Sequence, residues 1–386
     1  METGVFLEAR RGARSSLLIL GDQLEGRLPV DITVTPTMLE IKADEDCETI
    51  SLPVGVRITP SSCRGLQYIS GDGLHMRLQV QLDINKKQVA VWNTRLQAQK
   101  RYIFYCQSCG DVVMQERVFL RVLPLPSENW NSLVEEWCCH PDPFANRVLR
   151  PNGNDCFLGD TYLLVNSSNE GYVPETKEAQ SESHSSALRN DSMLTSKENA
   201  RVICKRCKAM LGETVSSEIV KYYITEIMVQ PSCEDIKMIP RSQFVESIIA
   251  EQLVAFSSAR STFRFCLQGH DGRTYILLWL LNSDTLLVES AEKSASGSAF
   301  TLFENSSRHN PGSLDANNAV KILYHPCTKF RNKQIVDVWE NDIGVHVLTF
   351  PSKTCLELLL ILTLSNRSLP SSLRCVNSFQ VAFLKM

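Results

Sequence analysis

Two cysteine pairs carry the strongest chemical signal in this chain: Cys106-Gln107-Ser108-Cys109 and Cys204-Lys205-Arg206-Cys207. Each is a knuckle whose turn lets two sulfurs face one metal. Four thiolates complete a tetrahedral zinc site with no open position, which makes such a site structural rather than catalytic. Lys205, Arg206 and Lys208 would offset the surplus negative charge. The pairs are about 95 residues apart, long beside compact zinc modules, so redox dithiols and unrelated cysteines stand as alternative readings. The chain has 14 cysteines and its amino end lacks a signal-peptide pattern. A disulfide framework is therefore not expected, and the thiols are left for metal, chemistry or core filling.

Between the pairs lies Pro124 to Phe144, PLPSENWNSLVEEWCCHPDPF, which gathers Trp130, Trp137, Cys138, Cys139 and His140. Ser127 reads as a helix N-cap, and Trp130, Leu133, Val134 and Trp137 recur at helical spacing. Pro141 stops that helix and leaves Cys138 to His140 at its carboxyl end. One reading buries the two thiols beside the tryptophans. The other displays at least one of them to a partner's metal, because adjacent residues outside a helix point different ways. A helix carboxyl end does not activate a thiol, so a nucleophile is poorly supported here. Near the carboxyl end, Cys355 follows Phe350-Pro351-Ser352-Lys353-Thr354 and precedes a leucine run. It is either a thioester-forming nucleophile or the first apolar residue of a buried element.

Composition bounds the alternatives. The 386 residues carry a formal charge of -3 and 43% hydrophobic residues, an ordinary globular balance with room for a sizeable core. No global basic field exists to hold nucleic acid. No apolar run approaches the ~20 residues that span a bilayer, so no membrane partner is expected. GxGxxG, Walker A, HExxH and GxSxG patterns are absent, which weakens nucleotide, protease and hydrolase readings. The expected location is cytoplasmic, with the nucleus as an additional compartment.

The positioning elements read as follows. Strands are expected at Asp31–Leu39, Thr49–Ile58, Gly65–Ile69, Leu74–Leu82 and Gln88–Trp92, separated by Pro, Gly and Asp clusters. Residues Asn166–Asn199, rich in Ser, Glu, Asn and Lys, read as a disordered insertion. Strand-like Lys221–Val229 follows, then a helix over Pro240–Ser257 with Phe244, Ile248, Ile249 and Leu253 at helical spacing. The tail shows Ile335–Trp339, Val345–Phe350, a helix or strand at Cys355–Leu364, and a strand at Phe379–Leu384. The predicted class is α+β: a β-rich amino-terminal half, bridged by a four-cysteine zinc site to a mixed α/β carboxyl-terminal half.

The segments YCQSCG, RVLPLPSENW, EEWCCHPDPFAN, ICKRCK, SSARSTFRF, YILLWLLNSD, TCLELLLIL and NSFQVAFLKM together resemble the HECT-like E3 ubiquitin ligase family that binds the cyclin-selective E2 conjugating enzyme. The resemblance implies a segment at 350–386 in which Pro351 and Thr354 precede a thioester cysteine, Cys355. That cysteine would accept ubiquitin from an E2 and pass it to a substrate lysine. It also implies an E2-contact region at about 232–254, including Phe244 and Ile248, and a cyclin as a further partner. Residues 124–154 are similar to a motif that inserts into the zinc endonuclease subunit of the cleavage and polyadenylation specificity factor. There Cys139 would occupy the nuclease's catalytic zinc, flanked by Cys138 and His140, with Trp130 and Trp137 as anchors. The implied organisation is a β-rich domain at 1–123, the nuclease-binding motif at 124–154, the insertion at 166–199, a mixed region at 200–349 and the HECT-like segment.

Overall fold

Alternate residues near the amino end face two different interiors. Val5, Leu7, Ala9, Leu18 and Leu20 enter one core, while Phe6 and Ile19 enter another. A strand turns successive side chains to opposite faces, so Val5–Arg10 and Ser16–Leu20 must lie in a sheet covered on both sides. The computed structural model describes residues 4–10, 13, 15–21, 30–43, 46–82, 96–125, 150–167, 175–177, 200–234, 238–290, 314–327 and 333–386. Among them that sheet has ten strands. Its path runs Cys375–Val376, Phe379–Lys385, Leu314–Pro326, Thr274–Ser290, Val5–Arg10, Ser16–Leu20, Gly73–Leu82 and Val56–Ile69; off it, Arg264–Gly269 pairs with Thr274–Ser290 and with Val345–Phe350. A three-stranded sheet of Asp31–Val34, Met38–Ala43 and Asp46–Ser51 supplies Leu39, Ile41 and Ile50 to the first core. Each such side chain contributes about 1.5–3 kcal/mol by leaving water.

Three α-helices accompany the strands among the described residues: α1 (Arg241–Arg260), α2 (Lys333–Glu340) and α3 (Ser352–Ser368). Pro240 suits the start of α1, where a missing N–H is no loss. Phe244, Val245, Ile248, Ile249, Leu253 and Phe256 are all buried, a wide arc that marks a helix sunk in the interior. Glu246, on the same helix, is half-buried. Burial pushes its carboxyl up to about 7, against the Lys385 amide that donates to Oε1 at 2.7 Å. The folded chain then keeps a proton that the unfolded chain releases, so stability falls between about pH 4.5 and 7 and is level above. Glu246→Gln is expected to stabilise the protein by roughly 1–3 kcal/mol at pH 8 and by little at pH 4, read from urea unfolding at both.

A buried carboxylate with the opposite behaviour ties the carboxyl-terminal turn to a hairpin. Asp72, with no exposed side-chain surface, accepts from Ser371 Oγ at 2.7 Å, from the Ser372 amide at 3.1 Å, from the Ser372 hydroxyl and from His75 Nε2 at 3.1 Å. Burial alone would raise this acid, but the Ser372 and Ser371 hydrogen bonds and the neighbouring His75 outweigh it and hold the carboxyl below its usual range. Its contribution is present at neutral pH and is lost as acid carries the solution below the ordinary Asp value of about 3.9 and through the lower folded one. Asp72→Ala should cost about 2–4 kcal/mol at pH 7, leaving those donors buried without their acceptor, and the gap to wild type should close in acid.

The chain divides into two compact units. One comprises residues 1–89, 242–347 and 352–386; the other comprises 90–241 with 348–351. The second unit holds a seven-stranded sheet ordered Arg121–Pro124, Asp155–Leu158, Tyr162–Asn166, Ile219–Tyr223, Met210–Thr214, Arg201–Ile203 and Glu175–Lys177. A separate three-stranded sheet is ordered Ile227–Pro231, Arg101–Cys106 and Val112–Val118. The molecule is mostly β with few helices, in the expected α+β class.

Several elements differ from their sequence expectation. Asp31–Leu39 is two strands rather than one, because Thr35 Oγ1 donates to the Met38 carbonyl and accepts from its amide around Pro36. Lys221–Val229 is likewise broken, where the Glu226 amide donates back to the Tyr223 carbonyl. Ile335–Trp339 lies in a helix, and Cys355–Leu364 resolves as helix. The expected helix at Ser127–Trp137, the strand at Gln88–Trp92 and most of the 166–199 insertion lie outside the described residues. No helix among the described residues is long and apolar enough to cross a membrane.

Candidate metal centre and the Cys355 helix

Each CxxC pair occupies the turn of a β-hairpin. Arg101–Cys106 runs into the first knuckle and leaves as Val112–Val118; Arg201–Ile203 runs into the second and leaves as Met210–Thr214. The two turns share one construction. The Gly110 amide donates to the Cys106 carbonyl at 2.8 Å, and the Lys208 amide to the Cys204 carbonyl at 3.0 Å. The residue after the second cysteine is left-handed in both, Gly110 at φ 72° and Lys208 at φ 61°. Glycine adopts this without strain, whereas lysine does so at a cost of about 1–2 kcal/mol.

The pairing brings four sulfurs together. Cys106 Sγ stands 3.7 Å from Cys207 Sγ, Cys109 Sγ stands 3.6 Å from Cys204 Sγ, and all four lie within 4.8 Å of one another. A tetrahedron with metal–sulfur bonds of ~2.3 Å has edges of about 3.8 Å, so the set fits one tetrathiolate-bound ion. Cys106 and Cys204 are buried, Cys109 is half-buried and Cys207 exposed. Burial pushes the Cys106 and Cys109 thiols up. For Cys207 burial works the same way, but hydrogen bonds from the Ala209 amide and the other three thiols outweigh it and lower the thiol. Exposed Lys205, Arg206 and Lys208 surround that open side. The four ligands all belong to the unit containing 90–241, joining two chain segments within it.

Cys355 stands in the first turn of α3, 1% exposed, and its thiol donates to the Gln268 carbonyl at 3.5 Å. Thr354 beside it is equally buried. Its place at a helix amino end favours negative charge on sulfur, while burial opposes it. The turn after Gln268 is drawn onto the same helix end: Asp271 accepts from the Arg273 amide, the Tyr275 hydroxyl and Ser352. At Gly269 a Cβ would stand 2.5 Å from Asp271 Oδ1 and Ser352 Oγ, so a larger residue there has to displace those side chains.

Phe244 and Ile248 point into the interior, 3% and 1% exposed. Trp130, Trp137, Cys138, Cys139 and His140 lie outside the described residues, but the stem of their segment is well defined. Arg121–Pro124 and Asp155–Leu158 pair in parallel. Arg121 clamps Asp155 through two bonds of 2.8 and 2.6 Å and holds its carboxyl below the usual range. One residue that the motif reading passed over is Gln107, inside the first knuckle; it was legible only as a spacer.

The fold is thus largely β, with four thiols gathered where they could hold a metal and a buried thiol at a helix start. The model of the HECT-like ubiquitin-conjugating enzyme (E2)-binding family matches residues 8–381, and the chain belongs to that family. It is 54% identical over 385 residues to a Bos taurus protein named as an E3 ubiquitin-protein ligase, covering 100% of this chain and 98% of the relative. The Homo sapiens protein of the same name is 55% identical with the same coverage. An uncharacterized Saccharomyces cerevisiae protein is 23% identical over 219 residues, 55% of each chain. No solved structure is similar at a significant level.

Proposed function

We propose that this chain is an E3 ubiquitin ligase that receives ubiquitin from an E2 on Cys355 and passes it to a substrate lysine. Family membership supplies the E2 and the ubiquitin-pathway setting. The observation that carries the chemistry is a thiol in the first turn of α3. In the first step the Cys355 sulfur attacks the ubiquitin carbonyl, the bond to the E2 cysteine breaks, and the thiol proton passes to the departing E2 sulfur. In the second, the lysine amine displaces Cys355. Because the sulfur is covered, the start of α3 must open when the E2 docks. Ubiquitin-loaded E2 mixed with the chain, followed by non-reducing electrophoresis, tests this: a reductant-sensitive adduct absent in Cys355→Ala supports it, and no adduct at all refutes it.

The four thiols hold zinc in this reading, the ion supplying a structural cross-link and no reactive position. A second activity is proposed from the clamped stem at Arg121 and Asp155, which suits a segment held out for a partner. Residues 124–154 would insert Cys139 into the zinc endonuclease of the cleavage and polyadenylation specificity factor, with or without ligase activity in this chain. Loss of nuclease capture by Cys139→Ala, with Cys355→Ala unaffected, is the expected result; equal capture by both variants and wild type removes the proposal.

A further inference from the structure

Gln107 sits between the thiols of the first knuckle and is 2% exposed. Its bonds leave the knuckle altogether. Nε2 donates to the Ile239 carbonyl at 3.1 Å, and Oε1 accepts from Arg241 Nη1 at 3.5 Å. Its backbone amide donates to the Glu226 carbonyl at 3.1 Å. Arg241 also donates to the Thr225 carbonyl and, at 2.8 Å, to Glu226 Oε1, which accepts from Thr225 Oγ1 at 2.9 Å. Gly110 makes a second attachment: a Cβ there would stand 3.1 Å from Met238 Sδ, so the methionine lies directly against the turn. Met238 and Ile239 are themselves 48% and 36% exposed. They bury too little apolar surface to fix this stretch alone.

We propose that Gln107 is a positioning residue that transmits metal occupancy of the four-thiol site to the segment Met238–Arg241. The loaded knuckle holds the segment; the metal-free knuckle releases it. The inference rests on the four thiols binding a metal. Without the ion only thiol–thiol contacts of 3.6–3.7 Å join Cys106 and Cys109 to Cys204 and Cys207, and the turn that carries Gln107 relaxes. Hydrogen bonds weaken steeply with stretch and misalignment, so a displacement of about 1 Å is enough to lose both side-chain bonds of Gln107. Metal status thereby governs how the exposed pair Met238 and Ile239 is presented just ahead of α1.

Hydrogen–deuterium exchange of the full chain tests this, with bound metal measured on every sample. In the loaded wild type, peptides covering 238–241 should be protected. Gln107→Ala should retain its metal yet exchange there at least tenfold faster, while peptides covering Tyr162–Asn166 and Ile219–Tyr223 stay as in wild type. Zinc added back to chelator-stripped wild type should restore protection at 238–241 in step with metal bound. Unchanged protection in metal-loaded Gln107→Ala overturns the inference, as does protection indifferent to the titration. A folded wild type that binds no metal overturns the metal reading itself, a separate failure.

Discussion

Cys204→Ser is expected to take the purified protein from about one bound zinc to none, and to lower markedly the melting temperature of the unit built from residues 90–241. The ligand lost is one of four that lie within 4.8 Å of one another, so no other described group is in place to substitute for it. Structural zinc contributes on the order of 10 kcal/mol or more to folding of small domains, which rivals the ~5–15 kcal/mol that holds a whole domain folded. Cys106→Ser and Cys109→Ser should behave alike. Cys47→Ser and Cys63→Ser should not, since those thiols are exposed and stand outside the cluster. Metal analysis paired with thermal unfolding reads both effects. A wild type that is folded and metal-free would end the zinc reading.

Cys355→Ala is expected to reduce thioester formation with ubiquitin-loaded E2 by at least 100-fold while costing the fold only about 1–2 kcal/mol. The small structural cost follows from the size of the deletion, one sulfur and its weak bond to the Gln268 carbonyl. Access is the second half of this prediction. Cys233 and Cys375 are exposed and should react with a maleimide at once, whereas Cys355 should react only through opening of the start of α3. An opening free energy of about 3 kcal/mol would slow it roughly 150-fold. Adding E2 should speed the labelling of Cys355 and leave Cys233 unchanged. If E2 has no effect on that rate and no thioester appears, Cys355 is a packing residue.

What could be read from the sequence was local. Each half of the four-cysteine cluster was legible because a CxxC knuckle is a short-range device: two sulfurs and the turn between them sit within six residues. Some strand positions were legible too: the expected Leu74–Leu82 lies within Gly73–Leu82, whereas Val5–Arg10, whose Val5, Leu7 and Ala9 alternate with Phe6, was not read as a strand. Long-range facts were not. Nothing in Gln107 announces bonds to Ile239 and Arg241, 132 and 134 positions away. The spacing of Phe244 and Ile248 identified a helix, but spacing alone does not distinguish an inner face from a docking face, and both side chains turn inward. The break at Ile224–Glu226 escaped notice because apolar residues flank it on both sides; buried Glu226, paired with Arg241, sits in the turn.

The pairing of Val5–Arg10 with Thr274–Ser290 sets an order of assembly. Val5–Arg10 leaves the ribosome well before the strand on its far edge, which lies some 280 positions later. At ~5–20 residues per second it waits about 15–55 s for that strand. The unit spanning 90–241 is nearly continuous in sequence and can close during that interval, provided metal is at hand. A chain truncated before Thr285 therefore leaves Val5–Arg10 paired with Ser16–Leu20 alone, its other edge open until Thr274–Ser290 is made.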